Sequence, residues 1–191
     1  MAEKEVIILG RGQSWRDCPF DAECWAIASV LNMPEVDCRK INKVFAFDDF
    51  ESTRSERQIA KQFNIPVVSN RSYATEKYPS EEILREFGKT YFLPSVSYMI
   101  AYAIYKGYKK LRLYGVDQAP EWNHLINKPY VMFWLGVATG RGVEWELSKY
   151  SILLETMGDE IEKSVIALKS KAKVLREQME AQQRREVLCR H

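Results

Sequence analysis

Val6-Ile7-Ile8-Leu9-Gly10-Arg11-Gly12-Gln13-Ser14-Trp15 decides how the rest of the chain is read. An apolar run that empties into a glycine-spaced loop closed by a serine is how open α/β sheets present backbone N–H groups to a phosphate. The dinucleotide fingerprint has a third glycine where Trp15 stands here, so the tight helix contact of that motif is missing. Taken alone, the loop is equally a plain strand-to-loop turn. The remaining segments have to choose between the two.

Working outward, apolar stretches alternate with amphipathic ones, the pattern of a sheet flanked by helices. Residues 24–28 read as a second buried strand, broken by Asn32 and Pro34, and residues 43–47 as a third, closed by Asp48 and Asp49. A short helix over 55–63 leads to a strand over 65–69, which Pro66 suggests is an edge. Ser80 reads as the N-cap of a helix that Gly88 ends. The clearest element is the helix over 95–105, stopped by Gly107 and followed by a strand over 111–117; Ala101 and Ala103 let it lie close to the sheet. A helix over 129–139 and a strand over 143–145 complete the pattern. The expected fold is α/β: a Rossmann-like, mostly parallel open sheet flanked by helices, over residues 1–147.

From residue 148 to 191 the composition shifts to long charged side chains with a sparse apolar stripe. Leu154, Ile161, Leu168 and Leu175 recur at intervals of seven, with Gly158, Val165, Ala172 and Met179 at the other seam position. Such heptads predict a long C-terminal coiled-coil-like helix that makes a homo-oligomer through residues 150–180 or docks on a partner. The alternative is that the stripe packs back on its own domain. Past Ala181 the tail is polar and is expected to fray.

Bulk properties narrow the function classes. A chain of 191 residues with 46% hydrophobic content can fill one core and leave an appendage. Its net charge of +2 does not indicate nucleic acid as a partner, while leaving room for a local basic pocket around an anion. The cysteines, Cys18, Cys24, Cys38 and Cys189, form no CxxC pair, and two histidines are few for a zinc site, so free thiols are expected. The charged N-terminus and the lack of a bilayer-length apolar run argue for no membrane and a cytoplasmic location.

In open sheets, ligands sit beyond the carboxyl ends of the strands. There this sequence places Gly10, Gly12 and Ser14 after the first strand, Ser29 and Asn32 after the second, Asp48 and Asp49 after the third, and Asp117 after the 111–117 strand. Ser95 and Ser97 open a helix whose unpaired N–H groups and dipole suit an anion, although Ser95 read alone is a simple cap. Asp48, Asp49 and Asp117 could hold magnesium if they converge. His124 stands in a proline-bearing loop at the same rim, where it is either a general base or phosphate contact, or a histidine bonded to its neighbours. Trp122 could stack on a base or cover the core edge. Arg141, between Gly140 and Gly142, could reach a phosphate from a flexible hairpin, or be an ordinary turn residue.

The stretches VIILGRGQSW, KVFAFDDF and SVSYMIAYAIYKGYKKLRLYGVD resemble the Rossmann-like group that includes bacterial lipooligosaccharide sialyltransferases, flagellin motility accessory factors and 6-hydroxymethylpterin pyrophosphokinase-like proteins. YPSEEILREFG, YGVDQ and LGVATGRGVEW resemble bacteriophage proteins, which would place the protein in a bacterial host cell. The resemblance covers roughly residues 5 to 147. It implies that Gly10, Gly12 and Ser14 meet nucleotide phosphate or ribose, that Ser29 faces the nucleotide, that Ser95 contacts base or phosphate, and that Asp117 lies at the sugar or acceptor side. The group's loop reads Gly-Pro-Ser where this chain has Gly-Gln-Ser. Its sialyltransferases use a histidine well after the G-x-D block, and His124 is the nearby candidate here.

Three functions fit these observations. The first is a nucleotide-dependent, glycosyltransferase-like transferase with a nucleotide-activated donor, Asp117 and His124 being its catalytic candidates and the loop over 118–128 its cover. A phosphoryl-transfer variant lacks the GxxxxGK[ST] loop. The second is a non-catalytic phage module that binds or sequesters a nucleotide. The third is a phage assembly protein in which the C-terminal helix is the active part.

Overall fold

In chain order the strands are β1 (Glu5–Leu9), β2 (Cys24–Ile27), β3 (Lys43–Phe45), β4 (Val67–Ser69), β5 (Glu76–Lys77), β6 (Lys110–Tyr114) and β7 (Glu144–Leu147). The helices are α1 (Arg54–Gln62), α2 (Ser80–Phe87), α3 (Ser95–Tyr105) and α4 (Trp122–Gly140), joined by short 3-10 segments at Gln13–Asp17, Ala28–Asn32 and Cys38–Lys40. They are seen in a computed structural model that describes residues 4–89, 91–117 and 122–154. All seven strands lie in one sheet in the order β5-β4-β3-β2-β1-β6-β7, and every neighbouring pair is parallel.

The expected α/β, Rossmann-like open sheet is therefore present, and it is wholly parallel. Because every strand points the same way, all the carboxyl ends share one edge. The chain winds outward from β1 to β5, then crosses back to start β6 on the other side of β1. The order reverses between β1 and β6, which is where open sheets usually take their ligands.

Alternation along the strands divides the core. Val6 and Ile8 of β1 enter one buried cluster with Trp25, α3 and α4, while Ile7 and Leu9 enter another with Cys24, Val44 and Ala60 of α1. Trp25 is 1% exposed and meets Phe45, Tyr102 and Tyr108 at centroid distances of 5.4, 5.3 and 5.0 Å. Truncating it to alanine should cost roughly 3–5 kcal/mol. Ala101 and Ala103 are fully buried, as the close seating of α3 requires.

Several boundaries differ from the sequence reading, each for a local reason. α4 begins at Trp122 and carries Pro129 inside it, because burial of Val131, Trp134, Leu135 and Ala138 holds the helix past its proline. His124 consequently lies in the first turn of a helix rather than in a loop. β4 is not the edge strand: the two-residue β5, too short for any periodic signal, pairs outside it. Pro79, not Ser80, occupies the N-cap of α2, while Gly88 ends that helix in the left-handed conformation at φ 64°. The 111–117 strand stops at Tyr114, and Gly115 turns the chain at φ 66°.

Ser148 and Leu153 are buried against the domain, whereas the heptad segment beyond Leu154 lies outside the described residues. Cys18, Cys24 and Cys38 are buried free thiols. Among the described residues no helix is long and apolar enough to cross a membrane, and no three His, Cys, Asp or Glu side chains gather as a metal site.

Candidate functional site

The residues nominated from sequence fall into two sets at the carboxyl edge of the sheet. The first set closes the junction between β1 and β6. Leu9 pairs with Tyr114, and the two chains then turn against each other: Gly10 N–H donates to Tyr114 O and Gly12 N–H to Gly115 O, both at 2.8 Å. A Cβ on Gly10 would stand 2.3 Å from Gly115 O, and one on Gly115 would stand 2.3 Å from Gly10 O. These glycines are there because two backbones touch. Ser14 completes the closure, donating its N–H to Asp117 Oδ2 at 2.9 Å and its hydroxyl to Asp117 Oδ1, while its Oγ accepts Gly115 N–H at 2.9 Å. Ser14 and Asp117 are 1% and 6% exposed. A Cβ on Gly12 would lie 2.4 Å from Asp117 Oδ2, so the carboxylate occupies the space beside the glycine loop.

The second set stays unengaged. Ser29 follows β2 within the Ala28–Asn32 segment, Asp48 follows β3, and Ser95 is the first residue of α3. Among the described residues, none of these three side chains makes a hydrogen bond or ion pair. The N-cap position of α3 is Pro94, which offers no side-chain cap. The N–H groups of Ser95 and Val96 accordingly have no acceptor within the described chain, and they carry the positive end of an 11-residue helix. Since α3 runs down to the start of β6, its first turn lies at the carboxyl edge, beside the ends of β2 and β3.

Aromatic packing fixes α3 at that edge. Tyr98, one turn after Ser95, stacks on Phe47 at 3.9 Å and on Phe92 at 4.5 Å, and Phe92 stacks in turn on Trp134 at 4.8 Å. Phe47 is the residue before Asp48, so this ladder ties the start of α3 to the end of β3. Tyr78 adds a hydrogen bond to Tyr98 O at 3.1 Å.

Two residues of this rim escaped the sequence reading. Arg71 follows β4, is exposed, and donates from Nε to Phe47 O at 3.3 Å; among the described residues it has no carboxylate partner. Tyr98 is half-buried. Burial pushes its phenol up from the ordinary tyrosine range, and the nearby Arg71 charge pulls it back. A cation after a strand was a readable signal for Arg71. Nothing in the sequence marked Tyr98, because its role follows from tertiary stacking.

The other nominated residues lie apart from this rim or are already committed. Ser97 is fully buried, its hydroxyl donating to Pro94 O at 2.7 Å. Arg141 belongs to the tight connection from α4 into β7 and so stands at the amino edge, opposite the carboxyl rim, where it pairs with Glu86 and lies over Phe87 at 4.7 Å. The hairpin expected there is a helix C-terminus, and the guanidinium is held by a carboxylate. Asn32 donates to Glu56 Oε1 at 2.7 Å, and Asp49 Oδ1 accepts the N–H groups of Glu51 and Ser52, both at 3.0 Å. With Asp49 capping a turn and Asp117 bonded to Ser14, the three aspartates named for magnesium do not gather. His124 has its backbone at the start of α4, which also begins at the carboxyl edge.

No family model matches the sequence, and no curated protein matches it at a significant level. Among solved structures, the sialyltransferase CstII from Campylobacter jejuni, in complex with cytidine-5'-monophosphate, is similar in fold at a TM-score of 0.55. The identity is 17%, over 81% of this chain and 84% of that one. A CST-II complex with a trisaccharide acceptor and CMP matches at 0.54 and 17% identity, over 78% and 83%. The chain thus shares its α/β architecture with sialyltransferases whose structures hold a cytidine nucleotide.

Proposed function

We propose that the protein binds a nucleotide or nucleotide-activated sugar at the carboxyl rim over β2 and β3, as a glycosyltransferase-like protein. The observation that carries this reading is the uncapped first turn of α3, with Ser95 and two unengaged N–H groups facing the same edge as Ser29, Asp48 and Arg71. A phosphate accepts from the α3 amides and from Arg71. Ser29 and Asp48 supply the shorter polar contacts that a ribose or base requires. The likeness in fold to sialyltransferases holding CMP supports a cytidine nucleotide as the first ligand to test.

Gly10, Gly12 and Ser14 shape this site indirectly by holding β1 against β6. His124 is the group assigned to proton transfer, since α4 opens at the same edge and an unperturbed imidazole titrates near neutral pH. Asp117 acts as a positioning residue through Ser14.

A second reading, binding without chemistry, draws on the same Ser14–Asp117 contact, in which both oxygens of that buried acid already accept from Ser14. A thermal-shift panel of nucleotides and nucleotide-sugars tests the shared premise. A ligand at one hundred times its dissociation constant adds about 2.7 kcal/mol of stability. Turnover of the hit, and its loss in His124→Ala, selects the transferase; tight binding without turnover selects the module. A panel without a hit removes both.

A further inference from the structure

A cavity lies between α1 and the connection from β4 to β5, on the face of the sheet opposite α3. Parallel neighbours ordinarily need a crossover of about a dozen residues or more, commonly a helix laid on the sheet. Here residues 70–75 alone join β4 to β5, with no helix in the connection. The space left between α1 and this strap is a cavity of about 710 Å3. Apolar Ala60, Ile65 and Pro66 form part of its wall, and Arg57, Lys61 and Asn64 bring polar groups to it.

Arg57 and Lys61 stand four residues apart on α1, so their side chains share one helical face. Like charges at this spacing are mutually unfavourable, and among the described residues neither has a carboxylate partner. The acid on the opposite wall, Glu76, does not compensate them, because Lys43 and Tyr102 both bond its carboxylate. Arg57 is held in place rather than free: its guanidinium lies over Phe50 at 3.8 Å and Tyr73 at 5.0 Å and donates to Phe50 O at 2.8 Å. Its Nε is buried and has no acceptor. An orphaned donor, a second unpaired cation and an apolar floor around one open cavity share a single complement, an organic anion.

We propose that this cavity binds a small organic anion, its phosphate or carboxylate on Arg57 and Lys61 and its apolar body against Ala60, Ile65 and Pro66. The cavity borders the nucleotide rim through Tyr73, whose hydroxyl donates to Asp48 O at 2.7 Å, but it would take its anion on other side chains, so neither proposal depends on the other.

Calorimetric titration of the full chain with phenyl phosphate and with benzoate tests it and distinguishes the two anion types. Saturable binding of at least one probe is expected, weakened about tenfold or more in Lys61→Gln and in Arg57→Gln, since a charge-assisted contact is removed. Lys61 is exposed, so its variant should fold even if loss of the Arg57 ring contacts weakens the other. Ser95→Ala should leave the affinity unchanged, which separates this site from the rim. Binding that Lys61→Gln leaves intact, or that Ser95→Ala abolishes, overturns the assignment, as does the absence of saturable heat with both probes at millimolar concentration.

Discussion

The β1/β6 junction and the rim over β2, β3 and α3 occupy the same edge of one sheet, yet they treat polar groups in opposite ways. At the junction the glycine and serine groups are spent internally: the Gly10 and Gly12 N–H groups on neighbouring carbonyls, Ser14 on Asp117 and on Gly115. At the rim the serine hydroxyls, the Asp48 carboxylate and the first amides of α3 are left over. A buried polar group without a partner is costly, so a junction this closed must be satisfied from within. An exposed rim is under no such demand and can hold its donors and acceptors ready for a ligand. The comparison teaches that small polar residues at strand ends are of two kinds, and that only burial separates them.

Breaking the junction should therefore cost stability, and breaking the rim should cost binding. The largest effect is expected for Gly115→Ala, whose methyl would meet Gly10 O from a residue held at φ 66°. Backbone strain and a backbone clash together should lower the unfolding free energy by roughly 3–5 kcal/mol in urea titration. Gly10→Ala should be of similar size; a change near zero in either would mean that the two backbones do not touch. Next comes Ser14→Ala, which strands Gly115 N–H and Asp117 Oδ1 in a buried site, while the main-chain N–H of residue 14 keeps its bond to Oδ2, and should cost about 1–3 kcal/mol. Folded Ser14→Ala protein should still bind nucleotide, and failure to do so would move the site back to the junction.

Ser95→Ala and Arg71→Gln sharpen the comparison from the other side. Both should leave the denaturation midpoint within about 0.5 kcal/mol of the parent. Arg71→Gln should weaken nucleotide binding about tenfold or more, as expected for a charge-assisted phosphate contact, and Ser95→Ala by less. The smallest effect is a pH dependence remote from both regions. Burial works against ionisation of Glu76, but its bonds to Lys43 and Tyr102 prevail and hold its carboxyl below the usual range. A depressed folded-state value contributes stability above the unfolded carboxylate range, and that contribution is lost as pH falls through the folded value. Thermal melts of Glu76→Gln should accordingly lose less stability than the parent on acidification below about pH 4.5; a parallel decline would show the pairing to be without effect.

Much of the architecture was legible because it rests on patterns within short windows. The apolar run before Gly10, the helix from Ser95 to Tyr105 with Gly107 behind it, and the helix ended by Gly88 all stand where periodicity and glycine chemistry put them. Two-residue β5 and the passage of α4 through Pro129 were not legible, since each is decided by neighbours distant in sequence. The site shows the same division. Small polar residues at strand ends placed Ser29 and Asp48 at one edge, and the helix start placed Ser95 there, but the strand-end rule also swept in Ser14, which the fold uses to bind itself shut. Arg141 misled because a glycine-flanked arginine reads alike at either end of a strand.

The central claim is that ligand recognition belongs to the rim and not to the junction. Chemical-shift mapping of the isotope-labelled chain during titration with cytidine-5'-monophosphate, or with whichever nucleotide stabilises it most, tests that claim directly. The account predicts saturable shifts at the amides of Ser29, Asp48, Arg71, Ser95 and Val96, with Ser14 and Gly115 nearly still. Dominant shifts at Gly10, Gly12, Ser14 and Asp117, with the start of α3 unmoved, would contradict it.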